Sequence, residues 1–198
     1  MIKYYTFYKN TNEEDGPLYE PRDSRIATYE NIITNIKEYK GEEKLKILDV
    51  GGGISMARCS IIPENWSITS TSLHKSEIGY TETNFTCIEG NILDLPIESE
   101  TYDVTIAVLT LQYVTNQPWA ISELLRVTKI GGLVIITYDH ADGPTSSQYL
   151  NILNSHGLEN LARKMGSLGI RNSLLLEEDV QQSIYYFVKT KNNEWKAH

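Results

Sequence analysis

The sequence predicts an α/β protein built on a doubly wound, seven-stranded and mostly parallel sheet that ends in an antiparallel hairpin. Three observations predict this fold. Short apolar segments alternate with helical patterns along most of the 198 residues. The first apolar segment runs into three consecutive glycines, as a buried strand does when it enters a tight turn. The last two apolar segments lie close together in the chain, which is typical of a hairpin.

The composition restricts the class of protein. The length suits one domain, and 40% apolar residues can form a sizeable core. The net charge of -8 argues against a nucleic-acid binder. Cys59 and Cys87 form no CxxC pair and have no metal-ligand spacing, so we expect reduced thiols and no metal site. No segment resembles a signal peptide or a bilayer-spanning helix, so we expect a cytoplasmic protein without membrane contacts.

The chain begins with a segment that differs from the rest. Residues 1–23 are polar, rich in tyrosine, and interrupted by Gly16, Pro17 and Pro21. This pattern predicts an N-terminal arm in front of a single domain over residues 24–198. The tyrosines of the arm either pack it onto the domain or a partner chain, or form part of a substrate wall.

The helices and strands follow from periodicity and turn residues. Ser24 can cap a first helix that Gly41 ends, with apolar residues at helical spacing at Ile26, Tyr29, Ile32, Ile33 and Ile36. Further helical segments are predicted over 54–61, over 119–127, where the Gly131-Gly132 pair ends the helix, and over 147–164. The predicted strands are 45–50, 67–73, 85–89, 102–109, 133–138, 172–176 and 183–190.

The alternation also predicts where a ligand binds. In a doubly wound sheet, ligands bind beyond the carboxyl ends of the strands, where the strand order reverses. The first strand ends at Asp49, and the glycines after it allow a ligand to approach the backbone closely. A helix N-terminus after this turn can face the ligand.

Four coupled segments over about residues 45–138 resemble the class I (Rossmann-like) S-adenosylmethionine-dependent methyltransferases. The closest resemblance is to the small-molecule ubiquinone and menaquinone C-methyltransferases. The segments occur in the order in which that family has them: Ile47–Gly53, Glu89–Pro96, Tyr102–Val104 with Leu111–Val114, and Glu123–Leu133.

This resemblance implies the class I methyltransferase fold, S-adenosylmethionine as the cofactor, and a role for each aligned position. The amino-acid end of the cofactor is expected at Asp49 and the glycine turn Gly51, Gly52 and Gly53. Its ribose is expected at Ser72 and Leu73, its adenine at Asn91 and Ile92, and its sulfonium near Leu109.

The sequence departs from the family pattern at two positions. Ser55 stands where a third glycine is usual, and a side chain there either crowds the cofactor or moves the loop. Ser72 stands where an acid normally accepts the ribose hydroxyls, and a hydroxyl offers fewer acceptor sites. Glu77 lies further along the chain and is a doubtful substitute. Met56, where a GxGxxG motif needs glycine, argues against a dinucleotide-binding dehydrogenase.

Catalytic candidates follow the fourth and fifth strands. His140 is the natural general base, since its free pKa is near neutral, and Tyr113 and Asp139 lie at the same predicted edge. The alternative is that residues 139–144 form a solvated turn and that Tyr113 only packs.

Two functions remain open from sequence. The first is an S-adenosylmethionine-dependent methyltransferase acting on a small molecule or a peptide. The second is a non-catalytic binding or scaffold subunit of the same fold, which the departures at Ser55 and Ser72 favour. Because there is room for only one helix between the fifth strand and the final hairpin, the acceptor pocket is either open or completed by a second subunit, in a homodimer or with a partner.

Overall fold

The computed structural model describes residues 23–139, 167–176 and 180–189. Apart from Asp23, the predicted N-terminal arm lies outside the described residues, and so do the helix predicted over 147–164 and His140. Within the described parts of the chain, no helix is long and apolar enough to cross a membrane.

The described residues form two α-helices and eight strands. In chain order they are α1 (Asp23–Lys40), β1 (Lys46–Asp49), β2 (Ser67–Ser72), β3 (Thr81–Glu82), β4 (Phe85–Glu89), β5 (Tyr102–Val108), α2 (Gln117–Val127), β6 (Thr128–Asp139), β7 (Ser167–Leu176) and β8 (Val180–Lys189). The seven predicted strands are all present, and β3 is an additional two-residue strand at the sheet edge.

The strands form one sheet in the order β3-β4-β2-β1-β5-β6-β8-β7. The pairs that join β4, β2, β1, β5 and β6 are parallel. β8 runs antiparallel between β6 and β7, which confirms the predicted terminal hairpin. After β1 the chain extends the sheet in one direction through β2 and β4, and it then returns to the other side of β1 with β5. The strand order therefore reverses at β1 and β5, where a doubly wound sheet leaves a crevice.

Both faces of the sheet are covered, as the alternation predicts. Ile47 and Ile106 point to the face on which α1 packs through its isoleucines. Leu48 and Ala107 point to the opposite face, where α2 packs. Successive residues of one strand thus enter two different apolar clusters, as strands buried on both faces must.

Two local predictions need correction. The helical segment predicted over 54–61 is reduced to a 3₁₀ turn at Met56–Arg58, because Pro63 disfavours helix in the residue before it and leaves too few residues for a stable helix. The Gly131-Gly132 pair does not end α2. That helix ends at Val127, where the Thr128 hydroxyl donates a hydrogen bond of 2.6 Å to the Leu124 carbonyl.

The glycine pair lies instead inside β6, where the pairing with β5 shifts register between Tyr102 and Val104. Gly131 has a φ of 77°, a conformation that glycine adopts without strain. The pair therefore lies within the irregular segment of β6 between Thr128 and Leu133, where the regular pairing with β5 is interrupted.

Candidate cofactor site

The register of the parallel strands brings the predicted site residues to one edge of the sheet. Asp49 pairs with Ile106, Ser72 with Glu89, and Val108 with Thr137. The carboxyl ends of β1, β2, β4, β5 and β6 therefore lie side by side along this edge. This strand order, with the antiparallel β8 inserted before β7, defines the class I Rossmann-like methyltransferase fold.

The glycine turn after β1 is held by the neighbouring strand β2. Gly51 and Gly53 have φ values of 73° and 58°, which lie in the left-handed region that favours glycine. The Gly51 amide donates to the Thr71 hydroxyl at 3.0 Å, and the Gly53 amide donates to the Thr71 carbonyl at 3.3 Å. Both amides are therefore already hydrogen-bonded to Thr71, and Gly51 is exposed.

Asp49 lies beneath this turn and has no exposed surface. A Cβ on Gly52 would lie 1.9 Å from its Oδ2 atom, so glycine is required where the turn crosses the carboxylate. The Tyr29 hydroxyl donates to Oδ1 at 3.1 Å, and Oδ2 has no hydrogen-bond partner among the described residues. Burial raises the pKa of Asp49 to about 7, although the Tyr29 hydrogen bond and the charge of Arg25 oppose this rise.

The Ser72 side chain forms a hydrogen-bonded pair with Glu77. The Ser72 hydroxyl donates to Oε2 of Glu77 at 2.5 Å and accepts from the His74 amide at 3.0 Å. Ser72 is 5% exposed and Glu77 is 4% exposed. The sequence makes Glu77 a doubtful substitute for the missing acid because it lies further along the chain, but the turn after β2 brings its carboxylate back to Ser72.

Ser55 does not protrude into the cleft. Its side chain is fully buried, and its hydroxyl has no hydrogen-bond partner among the described residues. Of the two consequences predicted for a side chain at the third glycine position, a crowded cofactor site or a moved loop, the burial of Ser55 argues against the first.

The predicted ribose and adenine contacts lie further along the edge. Leu73 follows β2 and is 54% exposed, although it is a large apolar side chain. Asn91 follows β4, and its Oδ1 atom accepts from the Leu93 amide at 3.0 Å. Ile92 is buried and packs in the apolar cluster below α2. Leu73 is thus the apolar side chain of this group that faces open space.

The end of β5 has an unusual backbone. Leu109 has a φ of 56°, which is rare for a residue with a branched side chain. Its amide donates to the Thr137 hydroxyl on β6 at 3.0 Å. The next residue, Thr110, donates to the Val50 carbonyl at 2.9 Å and so connects this segment to the glycine turn. Tyr113 lies in the following 3₁₀ turn and is 43% exposed.

His140 follows Asp139, the last residue of β6, and lies outside the described residues. Its predicted role as a general base therefore stays a prediction. No group of three or more histidine, cysteine or acidic side chains suited to a metal ion occurs in the part of the chain that the structure describes.

Sequence reasoning missed the contribution of α1 to this site. The sequence places Tyr29 in the apolar stripe of the first helix, and in the structure its hydroxyl donates to Asp49. One turn earlier, the Arg25 guanidinium donates to the Val108 carbonyl at 3.4 Å, at the end of β5. The one available signal was the hydroxyl of Tyr29 within an otherwise aliphatic stripe, since a buried hydroxyl needs a partner.

Comparison with known proteins agrees with this fold. Residues 48–136 match the family model described as a methyltransferase domain. Together with the sheet order, this match shows that the segment is similar to class I methyltransferase domains.

The chain is similar to a chloroplastic 2-methyl-6-phytyl-1,4-hydroquinone methyltransferase of rice, with 30% identity over 46% of this chain and 28% of the rice protein. It is also similar to a ubiquinone biosynthesis O-methyltransferase of Rickettsia prowazekii, with 31% identity over 65% of this chain and 52% of that protein. The chain thus spans about a quarter to a half of the length of these two relatives.

The fold is also that of a phosphoethanolamine N-methyltransferase of Haemonchus contortus solved in complex with S-adenosyl-L-methionine. The TM-score is 0.60 at 15% identity, covering 81% of this chain and 53% of the other.

Proposed function

We propose that this chain is an S-adenosylmethionine-dependent methyltransferase that methylates a small organic molecule. The observation that carries the proposal is the glycine turn at the strand-order reversal, with Gly51 and Gly53 in left-handed conformations. Such a turn lets a ligand lie against the backbone, in the crevice where doubly wound sheets bind their ligands.

The charges around the turn suit this cofactor. S-adenosylmethionine, when bound, supplies a methyl group on a positively charged sulfonium. The side-chain carboxyl groups of Asp49 and Glu77 lie close to the turn. A Cβ on Gly52 would meet that of Asp49, and a Cβ on Gly53 would meet that of Glu77. The negative charge of Glu77, together with that of Asp49 once it ionises at about pH 7, favours a cationic ligand. The residues present therefore fit the group.

Around that cofactor, the predicted site residues have separate proposed roles. Leu73 covers an apolar face of the nucleoside, with Asn91 and Ile92 at the adenine end. The Leu109 backbone borders the sulfonium, and Tyr113 forms a wall of the acceptor pocket. His140 removes a proton from the acceptor where the reaction needs it.

The acceptor is proposed to be an aromatic hydroxyl compound rather than a peptide. The curated relatives support this choice, because one is named for a hydroquinone and the other for ubiquinone biosynthesis. A second subunit completing the pocket and a cytoplasmic location both stay predictions.

The first test is calorimetric titration with S-adenosylmethionine and S-adenosylhomocysteine. We expect micromolar binding that Leu73→Ala weakens roughly 5- to 50-fold, because up to three methylene-sized groups of apolar contact are lost. Ile130→Ala is the matched control. Ile130 is 52% exposed, near the start of β6 at the opposite edge of the sheet, so affinity is expected to stay unchanged.

A second test measures transfer of a labelled methyl group to a panel of hydroquinones, phenols and short peptides. The proposal predicts transfer to the phenolic compounds. His140→Ala is expected to lower the rate about 100-fold or more if the histidine is the base, while leaving cofactor affinity unchanged.

One observation favours the second candidate, a non-catalytic subunit. Only a three-residue 3₁₀ turn follows β1, so no α-helix N-terminus faces the cleft there. Absence of binding at millimolar concentrations of both nucleosides would reject the enzyme and support this alternative.

A further inference from the structure

The end of β2 carries no acid of its own. The residues there are Thr71, Ser72, Leu73 and His74, which offer hydroxyl, apolar and imidazole groups. A carboxylate nonetheless lies at this point of the sheet edge, because Glu77 folds back from the turn that follows the strand. The acid thus comes from five residues further along the chain.

The local backbone explains how Glu77 reaches back. The amides of Glu77 and Ile78 both donate to the His74 carbonyl, at 3.1 and 3.3 Å, and these bonds close a helical turn. The Ser72 hydroxyl then fixes the carboxylate by donating to Oε2, while it accepts from the His74 amide. Ser72 is therefore the residue that positions Glu77.

The glycine turn makes room for this carboxylate. A Cβ on Gly53 would lie 2.5 Å from Oε2 and 2.6 Å from Oε1 of Glu77. Both carboxylate oxygens thus lie directly against the turn that the cofactor is proposed to cross. The Ser72 hydroxyl donates to Oε2 of this carboxylate.

We propose that Glu77 accepts hydrogen bonds from the vicinal hydroxyls of the cofactor ribose, with Ser72 as its positioning residue. This inference rests on the cofactor site proposed above. A carboxylate has two oxygens with several acceptor sites, so it can serve Ser72 and a ribose hydroxyl together, whereas the Ser72 hydroxyl alone could not. Bonds to a charged acceptor are stronger than bonds to a neutral hydroxyl.

The experiment is calorimetric titration with S-adenosylhomocysteine and with its 2′-deoxy and 3′-deoxy analogues. The proteins are the wild type, Glu77→Gln, Ser72→Ala and the control Glu64→Gln, which changes an exposed acid between β1 and β2. We expect Glu77→Gln to weaken binding of the parent nucleoside about 10- to 100-fold and the control to have no effect. The nearly isosteric substitution keeps the fold, which circular dichroism checks.

The analogues separate a ribose contact from a structural effect. If Glu77 accepts a ribose hydroxyl, the deoxy analogue that loses this bond binds the wild type weakly but loses nothing further in Glu77→Gln. A purely structural role predicts equal losses for all three nucleosides. Ser72→Ala should weaken binding less, with Ser72→Thr restoring it.

Moving the acid back to the strand end is a further check. The double variant Ser72→Asp/Glu77→Gln should recover most of the affinity that Glu77→Gln loses. If Glu77→Gln binds the parent nucleoside as tightly as the wild type does, or more tightly, this inference alone is overturned. Absence of nucleoside binding in every variant overturns the proposed cofactor site, and this inference with it.

Discussion

The hydroxyl of Tyr29 on α1 donates a 3.1 Å hydrogen bond to the carboxylate of Asp49 at the end of β1. Both side chains are fully buried. The helix that precedes the sheet is thereby attached to the acid that underlies the glycine turn. Burial raises the pKa of Asp49 to about 7, so the Tyr29 hydroxyl donates to a carboxyl group that titrates near neutral pH.

The raised pKa makes stability depend on pH with a definite sign. The folded state keeps the Asp49 proton up to about pH 7, whereas the unfolded chain releases it near pH 3.8. The folded state thus binds more protons in this window, and the free energy of unfolding falls as pH rises, by about 1.4 kcal/mol per pH unit from this residue.

Urea unfolding of the wild type and Asp49→Asn at pH 5, 6, 7 and 8 measures this contribution. Asparagine still offers Tyr29 an acceptor but does not titrate. We expect the wild type to lose stability relative to the variant up to about pH 7, and the difference to level off above it. Parallel pH profiles for the two proteins would show that Asp49 has an ordinary pKa.

Tyr29→Phe removes the hydrogen bond that lowers the pKa of Asp49. The variant is expected to shift the pH at which stability levels off to a higher value. It should also cost roughly 1–3 kcal/mol at pH 8, because a buried carboxylate loses its donor. Tyr39→Phe is the matched control, since Tyr39 on the same helix is 54% exposed. An equal effect in both variants would assign the change to the helix rather than to the contact.

The sequence predicts the sheet and its functional edge because these depend on local patterns. Apolar runs such as 102–109 define buried strands, and parallel strands must share a carboxyl edge. The glycines after Asp49 predict the turn. In the structure, Gly51 and Gly53 have the left-handed conformations that glycine adopts most readily.

The same local patterns do not predict which residues contact Asp49 and Glu77. The spacing of Tyr29 predicts that it is buried, but not that it faces Asp49, since this contact depends on how α1 crosses the sheet. Its distance along the chain makes Glu77 a doubtful substitute when only the sequence is considered. Its position depends on a turn closed by backbone bonds to His74 and on a glycine that leaves space for the carboxylate.

Ser72→Asp alone tests how tightly the Ser72–Glu77 pair is packed. The substitution places a second carboxylate beside one whose Oε2 atom lies 2.5 Å from the Ser72 hydroxyl. Two buried like charges repel one another and destabilise the fold. We expect a loss of roughly 1–3 kcal/mol at pH 8. Urea unfolding should show that the loss is absent in Ser72→Asp/Glu77→Gln, and persistence of the loss there would indicate a steric cause.

Thr137 is predicted to stabilise the left-handed backbone at Leu109. Its buried hydroxyl accepts a hydrogen bond from the Leu109 amide at 3.0 Å. Thr137→Val keeps the shape of the side chain but leaves this amide without its acceptor. The expected cost is roughly 1–3 kcal/mol in the urea unfolding free energy, with weaker nucleoside binding in calorimetry because the backbone after β5 borders the proposed sulfonium position.

Thr105→Val is the matched control. Thr105 is also a buried threonine, on the neighbouring strand, but its partner Thr128 keeps a 2.6 Å bond to the Leu124 carbonyl when the Thr105 hydroxyl is removed. The control should therefore cost less and leave binding unchanged. Equal effects of the two variants would mean that Thr137 contributes packing alone, and that the strained residue at the end of β5 is held by Thr110 and the glycine turn instead.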